Sequence, residues 1–183
     1  MKRIAVVGSG GAGKSTFARQ LGQRLNLPVY HLDAFYWKPG WVESPQNEWE
    51  ALNADLISRD AWVIDGNYGG TMESRFAAAD SIVYLDFPRR TCLWRVLKRR
   101  LAFSGRTRPD MGKDCPEILS WDFVKWIWNF PAVTRPVVLE RIDRLGKGKR
   151  VAILRTLTET QKFLDDAKDF PPGGTPNSSS SSR

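Results

Sequence analysis

The chain has 183 residues, 42% of them hydrophobic and 26% charged. That length suits one domain with a sizeable core, and that balance excludes a disordered chain. No apolar run approaches the roughly 20 residues that span a bilayer, so no membrane segment is expected. The formal net charge of +8 favours anionic partners, whether nucleotides, nucleic acid or acidic membrane surfaces. Much of it is local: seven arginines and Lys98 fall between Arg89 and Arg108 with no acid among them. Lys2 and Arg3 lead into a glycine-rich loop and not into a signal-peptide core, so a cytoplasmic location is expected. Cys92 and Cys115 have no metal-type spacing and read as separate thiols.

In chain order, Ile4–Val7 is a short apolar run of the kind that forms a buried parallel strand. It runs into Gly8-Ser9-Gly10-Gly11-Ala12-Gly13-Lys14-Ser15, which meets G-x-x-x-x-G-K-[ST] at every fixed position. Lys14–Leu25 places Phe17, Ala18, Leu21 and Leu25 on one helix face, Pro28 closes that unit, and Val29–Leu32 reads as a second strand. Residues 33–47, rich in aromatics, Gly and Pro, read as an irregular excursion into a helix at about Glu48–Ser58. Trp62–Asp65 and Ser81–Phe87 are the third and fourth strands, the latter cut off by Pro88. A basic helix over about Thr91–Leu101 precedes a polar loop to Pro116. Helices at Ile118–Phe130 and Val137–Leu145, a fifth strand at Arg150–Leu154 and a terminal helix at Thr158–Lys168 complete the pattern. Strands alternating with helices imply an α/β fold with a parallel five-stranded sheet covered on both faces. Residues 171–183, a Pro, Gly and Ser stretch, read as a flexible tail beyond a domain spanning 1–170.

The loop carries the strongest chemical signal. Its glycines let backbone N–H groups wrap a phosphate, and the helix starting at Lys14 turns its positive dipole end to the same anion. The expected nucleotide-binding set is Gly8, Ser9, Gly10, Gly11, Ala12, Gly13, Lys14, Ser15 and Thr16, with ATP and Mg²⁺ as cofactors. Lys14 would reach the β- and γ-oxygens and the Ser15 hydroxyl would coordinate Mg²⁺. Asp65 ends the third strand, where a carboxylate can hold Mg²⁺ through its water shell; an ordinary Asp-Gly turn is the alternative. Asp33 falls at the same sheet edge, positioned to orient an acceptor hydroxyl, accept its proton or support the metal, a turn-forming role being the competing view. His31, the only histidine, reads as a strand residue.

Arg95 and Arg99 share a helix face, and Arg106 and Arg108 follow Gly105. Arginines on a segment that closes over a transferring phosphoryl group are what phosphoryl transfer needs; a solvated basic face or a nucleic-acid contact are the alternatives. Trp121, Val124 and Trp128 share one helical face and Phe123, Ile127 and Phe130 another, as expected of a helix buried on two sides. Trp37, Trp41 and Trp49 fall in the presumed acceptor region.

These segments resemble the adenylate-kinase-type nucleoside monophosphate kinases. The closer resemblance is to the adenylate-kinase-related family of DNA topology modulation proteins, through His31-Leu-Asp33-x-x-x-Trp37, Asp65-Gly-Asn-Tyr68, Gly105-Arg-Thr-Arg108-Pro-Asp-Met and the Trp126-Ile-Trp128-Asn stretch. It covers residues 1 to about 165. It implies a P-loop kinase core with strand order 2-3-1-4-5 and a lid over about 101–117. It also implies that Arg95 packs on the nucleotide base, that Arg99 contacts phosphate, and that Arg106 and Arg108 are lid arginines. Adenylate kinases continue Asp-Gly-Phe-Pro-Arg, whereas here Asp65 is followed by Gly66-Asn67-Tyr68-Gly69, and the Asp33 segment with Phe35-Tyr36 resembles uridine-kinase-like enzymes.

The leading expectation is therefore a kinase that moves the γ-phosphate of Mg-ATP to a nucleoside- or nucleotide-like acceptor, with Lys14, Asp33, Arg99, Arg106 and Arg108 as catalytic residues. The alternative is a nucleotide-dependent regulatory or nucleic-acid-binding protein, although no helix-turn-helix or zinc-finger pattern appears. Monomer and homodimer are both left open.

Overall fold

A computed structural model describes residues 1–108 and 110–167. The tail expected over 171–183 and the Lys168 end of the terminal helix lie outside the described residues. The chain runs through β1 (Arg3–Gly8), α1 (Lys14–Leu25), β2 (Val29–His31), α2 (Leu32–Tyr36), β3 (Trp37–Lys38), β4 (Val42–Glu43) and α3 (Gln46–Ser58). It continues through β5 (Trp62–Asp65), α4 (Gly69–Ala78), β6 (Ser81–Leu85), α5 (Arg89–Ala102), α6 (Trp121–Leu145), β7 (Arg150–Leu154) and α7 (Leu157–Asp166).

The main sheet has the order β2-β5-β1-β6-β7, and all its pairings are parallel. Counting only its own five strands, that is the expected 2-3-1-4-5. β3 and β4 form a separate antiparallel hairpin. Alternation along β1 sends Ile4 and Val6 to one face and Ala5 and Val7 to the other. The first face packs on α1, α5 and α7 through Phe17, Leu21, Val96, Phe163 and Leu164. The second packs on α3, α4 and α6 through Trp49, Leu56, Met72, Phe76, Phe130 and Ile142.

Where the expected elements differ, the cause is local. Residues 33–47 hold α2 and the β3–β4 hairpin, and Leu32 belongs to α2 instead of extending β2. Helix α4, which opens on Gly69-Gly70, has no expected counterpart. Its buried Thr71, Met72, Arg75 and Phe76 nevertheless form a helical face that the second cluster covers. The two helices expected around Pro131 and Pro136 are one, α6, with both prolines inside it. Tertiary anchors on either side of the prolines outweigh the lost backbone hydrogen bonds: Ile127 packs in the first cluster, and Val138 and Ile142 in the second. Only one face of α6 is buried. Ile127 and Phe130 are inside, while Trp121 and Trp128 are 69% and 44% exposed, so burial on two sides does not hold.

Candidate active site

The glycine-rich loop joins β1 to α1, whose N-cap Gly13 sits in the left-handed region at φ 92°. Its back is packed. A Cβ at Gly11 would overlap the Cys92 carbonyl of α5, and Gly10 lies against Phe123 and Ile127 of α6. The Asn67 side chain clasps Gly8 like a neighbouring strand: Oδ1 accepts from the Gly8 N–H at 3.1 Å and Nδ2 donates to the Gly8 carbonyl at 2.8 Å. The Ser9 carbonyl accepts from both the Ala12 N–H and Lys14 Nζ, each at 3.1 Å. Burial lowers the Lys14 pKa, the charges of Asp33 and Asp65 partly oppose that, and Arg99 adds to it. The Lys14 ammonium therefore lies in the field of both strand-end carboxylates and of one expected arginine.

Asp65 is buried at the end of β5, its Oδ1 2.6 Å from His31 Nδ1. A carboxylate can only accept, so Nδ1 carries the proton. Burial alone would lower the His31 pKa, but the bond to Asp65 and the charges of Asp65 and Asp110 raise it. His31 is thus more than the strand residue it was expected to be; its place one strand over from Asp65 comes from the parallel register of β2 on β5.

Asp33 lies in the first turn of α2 and accepts a 2.7 Å hydrogen bond from the Tyr68 hydroxyl. Burial and then the Asp33 charge push the Tyr68 phenol well up, so it remains a donor. Tyr68 holds φ at 37°, a costly conformation for a bulky residue, and its ring is wedged 4.7 Å from both Tyr36 and Trp49. Beneath this segment lies Arg75, 1% exposed, donating to the carbonyls of Gly66 and Asn67 and to Asn53 and Thr71. All four acceptors are neutral, and burial pushes the guanidinium pKa down. Arg75 thus fixes the backbone that carries Asn67 and Tyr68.

From the other side come the arginines. Arg95 donates to the Ala12 carbonyl at 3.1 Å and stacks on Phe87. Arg99 Nε donates to Glu117 Oε1 at 2.7 Å, and Arg108 Nε approaches Glu117 Oε2 to 2.8 Å, out of line for a hydrogen bond. Arg108 also donates to Asp110 at 3.2 Å. Burial would raise the Asp110 pKa, but Arg108, the Ser15 hydroxyl and His31 hold it below its usual range. Arg106, expected alongside Arg108, is exposed, and its side chain makes no ion pair or hydrogen bond among the described residues. Residues 110–117 close onto the β3–β4 hairpin. A Cβ at Gly112 would overlap the Trp37 carbonyl, the Gly40 N–H donates to the Asp114 carbonyl, and Trp41 Nε1 donates to the Pro116 carbonyl.

Lys14, Asp33, Asp65, Arg95, Arg99 and Arg108 are therefore gathered around the loop, with Ser15 and Thr16 opening α1, and Arg106 is not. Asn67 and Tyr68 sit in a segment that the sequence singled out for other reasons. Glu117 carried no sequence signal, since an acid in a polar loop usually faces water, and Asp110 entered only as part of the Gly105-Arg-Thr-Arg108-Pro-Asp-Met segment with no role assigned. Among the described residues no group of three or more His, Cys, Asp and Glu forms a ready-made metal cluster, and no helix is long and apolar enough to cross a membrane. Cys92 and Cys115 are both free and buried.

The fold has counterparts among solved structures. A shikimate kinase from Acinetobacter baumannii, in complex with shikimate, superposes with a TM-score of 0.61 at 17% identity, over 91% of this chain and 90% of that one. A gluconokinase from Sinorhizobium meliloti 1021 superposes with a TM-score of 0.51 at 14% identity, over 92% and 90%. The chain has the P-loop kinase fold. At these identities the likeness is one of fold alone. No family model and no curated protein matches the sequence.

Proposed function

We propose that the chain is a kinase that uses Mg-ATP to phosphorylate a hydroxyl group of a small acceptor. The observation that carries this reading is the convergence of Asp33, Asp65 and Arg99 on Lys14 at the mouth of the glycine loop. A protein that only bound a nucleotide would not need a carboxylate on the acceptor side. When bound, Mg-ATP supplies the transferable phosphoryl group and a cation to neutralise its oxygens.

The chain's residues fit that group. The loop N–H groups and Gly13 would cradle the phosphates, Ser15 and Asp65 would serve the metal, and Arg95 would flank the base. Lys14 leaves the Ser9 carbonyl to meet the phosphates. Asp33, oriented by the Tyr68 hydroxyl, aligns the acceptor hydroxyl and takes its proton. Arg99 and Arg108, held by Glu117, place positive charge on the far side and exclude water as residues 101–117 act as a lid. His31 orients the Asp65 carboxylate through their 2.6 Å hydrogen bond.

The acceptor wall favours a neutral hydroxyl compound such as a nucleoside over a nucleotide. It is built from Tyr36, Trp37, Trp49 and Tyr68, and three cations near it are engaged: Lys38 by Glu48, Arg75 by carbonyls, Arg141 by Gly69 and Glu73. The fold neighbours, both named as kinases, support phosphotransfer, and the cytoplasm is where ATP would be supplied.

A second reading, a nucleotide-dependent nucleic-acid-binding protein of the topology modulation type, draws on α5, which exposes Trp94 and Leu97 among basic residues and contains no acid. Incubation with Mg-ATP and a panel of nucleosides, nucleotides and polyols separates the two. Phosphorylated product from a neutral member is the expected result. Slow hydrolysis without acceptor phosphorylation, together with tight, steeply salt-dependent DNA binding, would replace the kinase reading with the second one.

A further inference from the structure

Behind the glycine loop, on the flank away from Lys14 and Asp33, lies a cavity of about 230 Å³ between the carboxyl ends of β6 and β7 and the proline-containing middle of α6. Two hydroxyls that line it, Ser9 Oγ and Tyr84 Oη, are buried and make no aligned hydrogen bond, although their residues are only 4% and 0% exposed. Each has one protein neighbour out of line for a full hydrogen bond, Asp86 for Tyr84 and Cys92 for Ser9, so both keep bonding capacity for a partner that enters from outside.

The charge around the cavity is lopsided. Arg89, Arg135 and Arg155 line it beside a single carboxylate, Asp86; Arg89 lies over the Trp128 ring and donates to its carbonyl at 3.3 Å, neither of which offsets its charge. Asp86 is already taken, by Arg135 through hydrogen bonds of 3.0–3.1 Å and by Arg155 at 3.5 Å. Burial and then the Asp86 charge push the Tyr84 phenol up, so it stays a neutral donor. The first turn of α5 borders the same space, and its Pro88 N-cap offers no side-chain acceptor to the free N–H groups. The remaining wall is apolar, formed by Leu85, Ile127 and Phe130. The volume exceeds the roughly 30 Å³ share of one water and falls short of the roughly 300 Å³ of a drug-sized pocket.

We propose that this cavity is a second ligand site, for a small organic anion with a flat apolar body, and that its occupancy is transmitted to the phosphate loop through Ser9. The anion meets the arginines and the Tyr84 and Ser9 hydroxyls, and its apolar body lies against Ile127 and Phe130. Ser9 is the link because its carbonyl holds Lys14 Nζ and the Ala12 N–H. A ligand bonded to the Ser9 hydroxyl biases how readily that carbonyl releases Lys14. This site does not depend on the kinase reading, since binding is measurable without any acceptor.

The probe is benzoate, titrated calorimetrically into the full chain, with benzylammonium as the cationic counterpart of the same shape. Wild type is expected to bind benzoate saturably and to ignore benzylammonium. Tyr84→Phe removes a hydroxyl whose one protein neighbour, Asp86, keeps its bonds to Arg135, so it is expected to fold normally and to bind benzoate about 10-fold more weakly, the worth of one buried hydrogen bond. Arg89→Gln should weaken it as well. Equal responses to the two probes, or unchanged benzoate affinity in Tyr84→Phe, would mean that the cavity holds water only. ADP affinity measured with and without saturating benzoate tests the link to the loop. A shift in wild type that is lost in Tyr84→Phe is expected, and benzoate binding with no shift would overturn the coupling.

Discussion

On the proposed kinase reading Lys14 has two jobs that cannot be done at once. Its ammonium donates to the Ser9 carbonyl, and in phosphoryl transfer it would have to stabilise charge on the moving group instead. Lys14→Ala is therefore expected to leave the far-UV spectrum unchanged while lowering kcat by about 10²–10³-fold, as loss of one preorganised transition-state donor does. Asp33 and Tyr68 work as a pair on the acceptor side. Asp33→Asn should lower kcat far more than it weakens ATP binding, and Tyr68→Phe should raise the acceptor KM with a smaller loss in kcat. An equal loss of ATP affinity in Asp33→Asn would assign that carboxylate to the nucleotide. The loop was legible residue by residue because each choice answers a local backbone demand. Gly11 has no room for a side chain, and Gly13 takes a conformation that glycine favours. His31 and Glu117 were not legible. Their roles come from the register of β2 on β5 and from the path of the segment after α5, neither of which local spacing encodes.

At the scale of elements, two contacts decide whether the site is held together. Glu117 is 3% exposed and bridges Arg99 of α5 to Arg108 of the following segment. Glu117→Gln should free both arginines, lowering kcat by about 10-fold or more and speeding hydrogen exchange across 104–117, while β1 and β6 amides stay protected. α6 is tied to the end of β6 by the Arg135–Asp86 pair. Burial would raise the Asp86 pKa, but Arg135, Tyr84 and Arg155 bring it below its ordinary value. A depressed carboxylate stabilises the fold fully above its unfolded value of about 3.9, and that contribution disappears as pH falls through its lower folded value. Asp86→Asn is thus expected to cost on the order of 1 kcal/mol at pH 7 and to converge with wild type in urea titrations as pH falls through the lowered folded-state value. Most elements could be read from periodicity, but α4 and the continuity of α6 could not. In both, a breaker signal in the sequence, Gly69-Gly70 or Pro131 and Pro136, is overridden by a buried face that finds its partners only in the folded chain.

Across the whole molecule, the sheet brings the carboxyl ends of β1, β2 and β5 to one edge, so that residues 14, 33 and 65, far apart in sequence, share one electrostatic field. The order of those strands followed from the family resemblance, and the two-sided burial from alternation of strands and helices. The orientation of the tryptophans did not follow. Trp49 lies inside the core while Trp121 faces solvent, because helical spacing says which residues share a face but not which face is covered. On the proposed reading only the folded loop binds nucleotide, so Mg-ATP at 100 times its Kd should stabilise the wild-type protein by about 2.7 kcal/mol and the Lys14→Ala protein by less. The most direct test of the kinase reading is a phosphotransfer assay with Mg-ATP labelled at the γ-phosphate, run against paired nucleosides and their monophosphates with wild type and Asp33→Asn. Label appearing on a nucleoside with wild type, and nearly absent with Asp33→Asn, is the expected result. Label released only as inorganic phosphate, at the same rate in both proteins, would contradict it.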